Sequence, residues 1–183
     1  NKVQDKRRED KSDEDNDGYD ANRNSDISPN ERHTNLEEYL AGTSPWQYDS
    51  DGDRMPDGWE LFYGLNPTSS SDAWFDSDSD GWDSDYDGEL IYEERYFNYM
   101  EYFNDTNPLV SDSDGDTMPD GWEVIFDLDP LRPSDNFEDK ENDGLVNVYE
   151  YNNSLVLTGW LDRDGIFTTR PDIADTDGDG LAD

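Results

Sequence analysis

Aspartates at alternate positions, closed by a glutamate at the twelfth place, carry the clearest chemistry in this chain. Residues 49–60 read DSDGDRMPDGWE, which puts Asp49, Asp51 and Asp53 at places one, three and five, Met55 at seven, Asp57 at nine and Glu60 at twelve. A hard divalent cation that takes roughly 6–8 oxygens is held in this way: carboxylates first, a backbone carbonyl at the seventh place, an acid closing the ring at the twelfth. Residues 112–123, DSDGDTMPDGWE, repeat the set as Asp112, Asp114, Asp116, Met118, Asp120 and Glu123. The sixth place of an EF-hand loop is glycine. Here it is Arg54 or Thr117, with Gly52 and Gly115 at the fourth place, so the turn is expected to be made differently.

A second loop type reads Asp139, Glu141, Asp143, Leu145, Asn147 and Glu150. In residues 76–94 two such loops overlap. Asp76, Asp78 and Asp80 would be closed by Asp87, while Asp83, Asp85 and Asp87 open a loop that Glu94 would close. Residues 13–31 keep the offsets with weaker ligands: Asp13, Asp15, Asp17 and Asn24, then Asp20, Asn22, Asn24 and Glu31. A last copy, Asp175, Asp177, Asp179 and Asp183, runs to the end of the sequence. One such turn says little, because Asp and Gly favour turns in any case. Eight in register favour calcium. Magnesium prefers fewer carboxylates and keeps its waters, and zinc would want Cys or His, of which the chain has none and one.

The loops recur because the chain does. Asp49 to Glu60 returns as Asp112 to Glu123, 63 residues on, and its first nine places return as Asp175 to Asp183. Thr43-Ser44-Pro45, Thr106-Asn107-Pro108 and Thr169-Arg170-Pro171 keep the same step. Units are expected at 13–75, 76–138 and an incomplete 139–183, after a polar lead-in over 1–12. The expected fold is an irregular, calcium-stabilised tandem-repeat rod of turns and coil with little or no sheet. Short helices follow the loops at 35–41, 59–63, 98–103, 122–126 and 147–151, stopped by Gly42, Gly64 or a nearby proline. Leu36, Tyr39, Leu40, Trp59, Leu61, Phe62, Trp122, Val124 and Ile125 are expected in small cores beneath the ions.

Composition agrees with a cation-dependent fold. Forty-nine acids against 13 Lys and Arg give a net charge of −36, and 31% apolar residues with a mean hydropathy of −1.19 would ordinarily leave a chain disordered. Aromatics at 13%, six of them Trp, argue for packed cores instead. A surface of this sign repels phosphate backbones and anionic lipid, which excludes nucleic acid and membrane surfaces as partners. No apolar stretch reaches the ~18 residues of a membrane span, and residues 1–12 lack the apolar region of a signal peptide. The chain reads as a piece of a longer one.

No nucleophile elbow, phosphate loop or dinucleotide fingerprint is present, and acids crowded around a cation are not free to act as a glycosidase pair. An enzyme is therefore not expected. His33 is read as a solvated side chain, and Trp59 and Trp122 as core rather than a sugar platform.

The motifs at 49–67, 112–130, 35–45 and 139–151 resemble the thrombospondin type 3 repeat family, above all its bacterial and archaeal secreted forms. The resemblance covers nearly all of residues 13–183. It implies calcium-bound, largely irregular rods in secreted or cell-surface proteins, acting as stalks, linkers, adhesive or fibrous elements. The disulfides of animal members are missing here, which favours a microbial surface protein. The partners implied are Ca²⁺ and, for a fibre, copies of the chain or other cell-surface proteins. Alternatives are a dockerin-like binding module, or an accessory segment of a secreted hydrolase whose catalytic domain lies elsewhere.

Overall fold

The computed structural model describes residues 12, 13, 15–19, 23, 32–84, 89–154, 169–176, 178 and 180–182. Within them the chain is mostly turn and coil with five short helices: α1 (Asn35–Ala41), α2 (Asp57–Tyr63), α3 (Asn98–Asn104), α4 (Asp120–Ile125) and α5 (Asn147–Ser154). Single 3-10 turns lie at Asp72–Trp74, Tyr92–Glu94 and Asp135–Phe137. No strand forms among the described residues, where β-pairing is limited to an isolated bridge between Arg170 and Ile173. The fold is thus irregular and low in sheet. Contacts divide it into two compact units, Asn1–Ser77 with Phe97–Leu109, and Asp78–Tyr96 with Val110–Asp183.

Each unit has a small aromatic core. Met55, Trp59 and Ala73 are buried in the first, flanked by Tyr19, Tyr63, Leu65, Tyr99 and Tyr102, and Met118, Trp122 and Phe126 in the second, flanked by Trp82, Leu128, Val148 and Tyr151. A buried Trp removes some 150–250 Å² from water, a gross gain of about 4–6 kcal/mol. Trp59 and Trp122 are therefore core residues, as expected, but most of their expected companions are not. Leu36, Tyr39, Leu40, Phe62 and Ile125 are exposed, and Leu61 and Val124 half-buried. The reason lies in which face each helix turns inward: α1 buries Glu38, α2 buries Glu60 and α4 buries Glu123, each fully covered. α1 thus turns a carboxylate inward, α2 and α4 turn one inward beside their tryptophan, and the other apolar side chains named here are exposed or half-buried.

The first helical turns after the PDG motifs sit against a neighbouring loop backbone. A Cβ on Gly58 would collide with the Asp17 carbonyl oxygen, and one on Gly121 would lie 2.5 Å from the Asp80 carbonyl and 2.8 Å from the Tyr96 Cβ. Glycine is required there by close approach. The approach brings an aspartate of the second loop type beside a helix of the first.

Candidate metal centres

In the described loops, aspartates turn carboxylate oxygens to the loop's own backbone, the first of each loop with both oxygens and the later ones with one. Asp49 accepts the N–H groups of Gly52 (2.7 Å) and Arg54 (3.0 Å), Asp51 that of Asp53 (3.2 Å), and Asp53 that of Met55 (2.9 Å). Asp112, Asp114 and Asp116 do the same for Gly115, Thr117, Asp116 and Met118 at 2.7–3.1 Å. Asp139 and Asp143 hold Gly144 and Leu145 in the same manner at 2.9 and 2.7 Å. Contrary to the sequence-based expectation, the turn follows the EF-hand pattern after all. Arg54 (φ 87°) and Thr117 (φ 86°) take the left-handed conformation that glycine would hold, at the place where Gly144 (φ 107°) takes it in the second loop type. For a β-branched residue such as Thr117 this is a strained backbone.

Carboxylate oxygens also converge. Asp49, Asp51 and Asp53 bring carboxylate oxygens within 4.8 Å of one another, and so do Asp53, Glu60 and Asp72. Asp51 Oδ2, Asp53 Oδ2, Asp72 Oδ1 and both oxygens of Glu60 are buried without any hydrogen-bond partner. The second unit matches: Asp114 Oδ2, Asp116 Oδ2, Asp135 Oδ1 and both oxygens of Glu123 are buried and unpartnered. Asp13, Asp15 and Asp17 form a further group. These oxygen donors, several of them buried, form groups that could hold a metal ion.

Sequence reasoning missed Asp72 and Asp135, each on a 3-10 turn twelve residues after the loop's closing glutamate. Their recurrence at the same 63-residue step was the available signal. The asparagines that brace them were visible too. Asn98 Nδ2 donates to the Asp72 carbonyl and Asn147 Nδ2 to the Asp135 carbonyl, both at 2.8 Å.

The carboxylates at the ninth place behave differently from the others. Both oxygens of Asp57 accept from Ser50, its N–H at 2.7 Å and Oγ at 2.6 Å, and Asp120 accepts likewise from Ser113 at 2.8 and 2.6 Å. They brace the loop from across it. Met55 and Met118, whose carbonyls stand at the seventh place, bury their side chains completely in the cores.

In the second loop type an acid further along the chain joins the aspartates. Asp13, Asp15 and Asp17 meet Glu38, which lies far beyond the twelfth place, and the charges of Asp15, Asp17 and Asp13 act on it. Asn35 anchors the junction by donating its N–H to the Ser12 carbonyl (2.9 Å). Asn98 to Phe75 (2.8 Å) and Asn147 to Glu138 (2.9 Å) make the same bond to the residue before the next two aspartate triplets. An Asn-x-x-Glu pair therefore closes this loop type, directly in Asn147 to Glu150 and after an inserted excursion at Asn35 to Glu38. Within the other excursion Glu94 accepts from Ser84 N–H and Oγ (2.8 and 2.6 Å) and from Ile91 N–H (3.2 Å). Asp78 and Asp83 are half-buried, Asp80 is buried, and Asp80 Oδ2 accepts the Gly121 N–H at 3.0 Å. Asp76, Glu141 and Asp143 are half-buried, while Asn147 and Glu150 are fully covered. Asp20, Asn22, Asn24, Glu31, Asp85, Asp87, Asp177, Asp179 and Asp183 lie outside the described residues. Asp175 Oδ2 accepts the Gly180 N–H at 2.8 Å.

His33 is not solvated. It is 6% exposed and its Nδ1 lies 2.7 Å from Asp17 Oδ2. Burial lowers its pKa, but the hydrogen bond and charge of Asp17 outweigh burial and leave it raised. Its place is taken in the second unit by Tyr96, at the same step in sequence and against Gly121 as His33 is against Gly58.

Electrostatics show how unfavourable these clusters are with nothing between them. Burial first, then Asp53, Asp51 and Asp72, push Glu60 up to about 10; burial, Asp116, Asp114 and Asp135 push Glu123 up to about 10. Glu38 rises to about 7 by burial and the charges of Asp15 and Asp17, and Asp53, Asp114 and Asp116 to about 6, mainly by burial. Burying an ion costs several kcal/mol even after relaxation, so a few uncompensated carboxylates would cancel either aromatic core. Protons or a cation must take up the charge.

A pH dependence of opposite sign in the two states follows. Without metal, Glu60 and Glu123 hold protons in the folded chain between their unfolded value near 4.5 and about 10, and release them on unfolding. The folded state then binds more protons, so stability falls as pH rises across that window. With a saturating cation the protons compete with the ion, and stability falls as pH drops. Melting the metal-free chain at about pH 5 and pH 8 should give the higher midpoint at the lower pH, with the order reversed in Ca²⁺.

Comparison with protein-family models, curated proteins and solved structures finds no match to this chain. Its local sequence and geometry therefore carry the functional reading.

Proposed function

We propose that this chain is a calcium-binding structural segment, a stalk, spacer or fibre-forming element of a microbial cell-surface or secreted protein, with no catalysis of its own. The observation that carries the reading is the closing glutamate of the twelve-residue loops. Glu60 and Glu123 are fully covered, with four oxygens between them that have no hydrogen-bond partner; Glu60 converges with Asp53 and Asp72, and Asp116, Asp114 and Asp135 act on Glu123. Calcium satisfies such a cage better than magnesium, because it accepts many carboxylates and irregular geometry. The likeness of the loop sequences to thrombospondin type 3 repeats supports the same assignment. Extracellular calcium in the millimolar range would fill even sites with Kd of about 10⁻⁴–10⁻³ M. Nucleic acid is excluded by charge, and among the described residues no helix is long and apolar enough to cross a membrane.

Titration calorimetry with Ca²⁺ and with Mg²⁺ tests the metal assignment. Several calcium ions should bind per chain, with Mg²⁺ displacing them only weakly. Equal affinity for the two ions, or no heat from either, would refute it.

A further inference from the structure

The centres of the two units are alike in their carboxylates and unlike in one cation. In the second unit Arg132 forks onto Glu138, Nη1 to Oε1 at 2.5 Å and Nη2 to Oε2 at 3.1 Å, and Nε lies 4.0 Å from Asp129. Held there, Nη2 reaches to 3.6 Å from Oδ2 of the fully buried Asp135. That same oxygen accepts the Asp129 N–H at 2.9 Å, so Oδ1, buried and unpartnered, is the oxygen left to face the centre. Among the described residues the first unit has none of this. Its equivalents, 63 residues earlier, are Asn66, Ser69, Asp72 and Phe75; Asp72 Oδ2 accepts only the Asn66 N–H (2.7 Å), and its Oδ1 is likewise buried and unpartnered.

We propose that Arg132 sets the calcium affinity of the second unit's centre, holding it lower than the carboxylates alone would give. The proposal rests on the reading that these centres bind calcium. A guanidinium against one oxygen of a ligand carboxylate withdraws charge from the other and repels the incoming dication. Arg132 is partly exposed, so screening keeps the effect to about three- to tenfold in Kd. The arginine also supplies part of the compensation that Asp135 would lack between ion-binding events. The second unit's affinity is thereby adjustable through one surface residue while its ligands stay the same.

The test follows amide resonances of Gly52 and Gly115 through a Ca²⁺ titration of the ¹⁵N-labelled chain. Each N–H donates to the first aspartate of its own loop at 2.7 Å and so reports its own unit. In R132S the Gly115 midpoint should move about three- to tenfold lower while Gly52 stays in place. S69R should raise the Gly52 midpoint and leave Gly115 unmoved. R132K, which keeps the charge and loses the fork, should stay near the native value, and added NaCl should shrink the R132S effect. A Gly115 midpoint that is unchanged or higher in R132S, with calcium binding intact, overturns the proposal: the arginine would then be neutral or would position Asp135. Failure of both resonances to move up to ~10 mM Ca²⁺ would remove the calcium reading itself, and this proposal with it.

Discussion

Exchanging Glu60 or Glu123 for glutamine is expected to abolish tight calcium binding in its own unit while leaving the metal-free chain as stable as before, or more so. The two halves of that result have one cause. Without metal, both side chains are held neutral by burial and surrounding aspartates, with pKa values pushed up to about 10. Glutamine has nearly the shape of that protonated acid, so the folded apo chain loses nothing. With calcium present, the ring loses its closing bidentate carboxylate. Affinity should fall by at least about a hundredfold, which at saturating ion removes roughly 2.7 kcal/mol or more of the linked stability. Melting E60Q, E123Q and the native chain in chelator and in Ca²⁺ reads both halves. A variant destabilised equally in the two conditions would make these glutamates ordinary core residues and detach them from any ion.

G58A and G121A should be damaging in both conditions. An added Cβ meets backbone carbonyl oxygen, of Asp17 at Gly58 and of Asp80 at Gly121, and no rotamer can relieve that contact. Overpacking against a fixed backbone costs about 1–3 kcal/mol or more. The displaced loops also carry Asp17 and Asp80, so calcium affinity should drop along with stability. Denaturant midpoints with and without Ca²⁺ check the first effect, and calorimetry the second. If either variant matched the native chain in both, helix start and loop would pack too loosely for glycine to be required.

The twelve-residue loops were legible in the sequence because a metal loop is local. Its ligands, its turn residues and its closing helix lie within one stretch, so the residues from Asp49 to Glu60 and from Asp112 to Glu123 announce themselves. Helix positions followed from the same loops, with α1 found at its observed limits and the others within a few residues. What stayed hidden depended on distance along the chain. Asp72 joins Asp53 and Glu60 only after α2 and a further turn have folded back, and Glu38 reaches Asp13, Asp15 and Asp17 only across an inserted excursion. The excursions also hold aspartates at alternate places, most of them outside the described residues. The core was misjudged for another reason. Apolar residues such as Leu40 and Tyr39 normally mark a helix's inner face, but here the inner face belongs to Glu38, and burial follows the charge cluster rather than hydrophobicity. His33 was misjudged because a lone histidine in a polar stretch gives no sign of Asp17 behind it.

Near-ultraviolet circular dichroism of the tryptophans during a Ca²⁺ titration, reversed with chelator at neutral pH, tests the central claim most directly. Trp59 and Trp122 lie in the two cores beneath the loops, about 1% exposed, so their signal reports whether each core is packed. The spectrum should be weaker in chelator, where the metal-free cores are packed but less stable, than in calcium; it should grow to a plateau as several ions bind and should reverse fully. An identical, structured spectrum in chelator and in calcium would contradict that claim, because the buried carboxylates would then be accommodated without any ion.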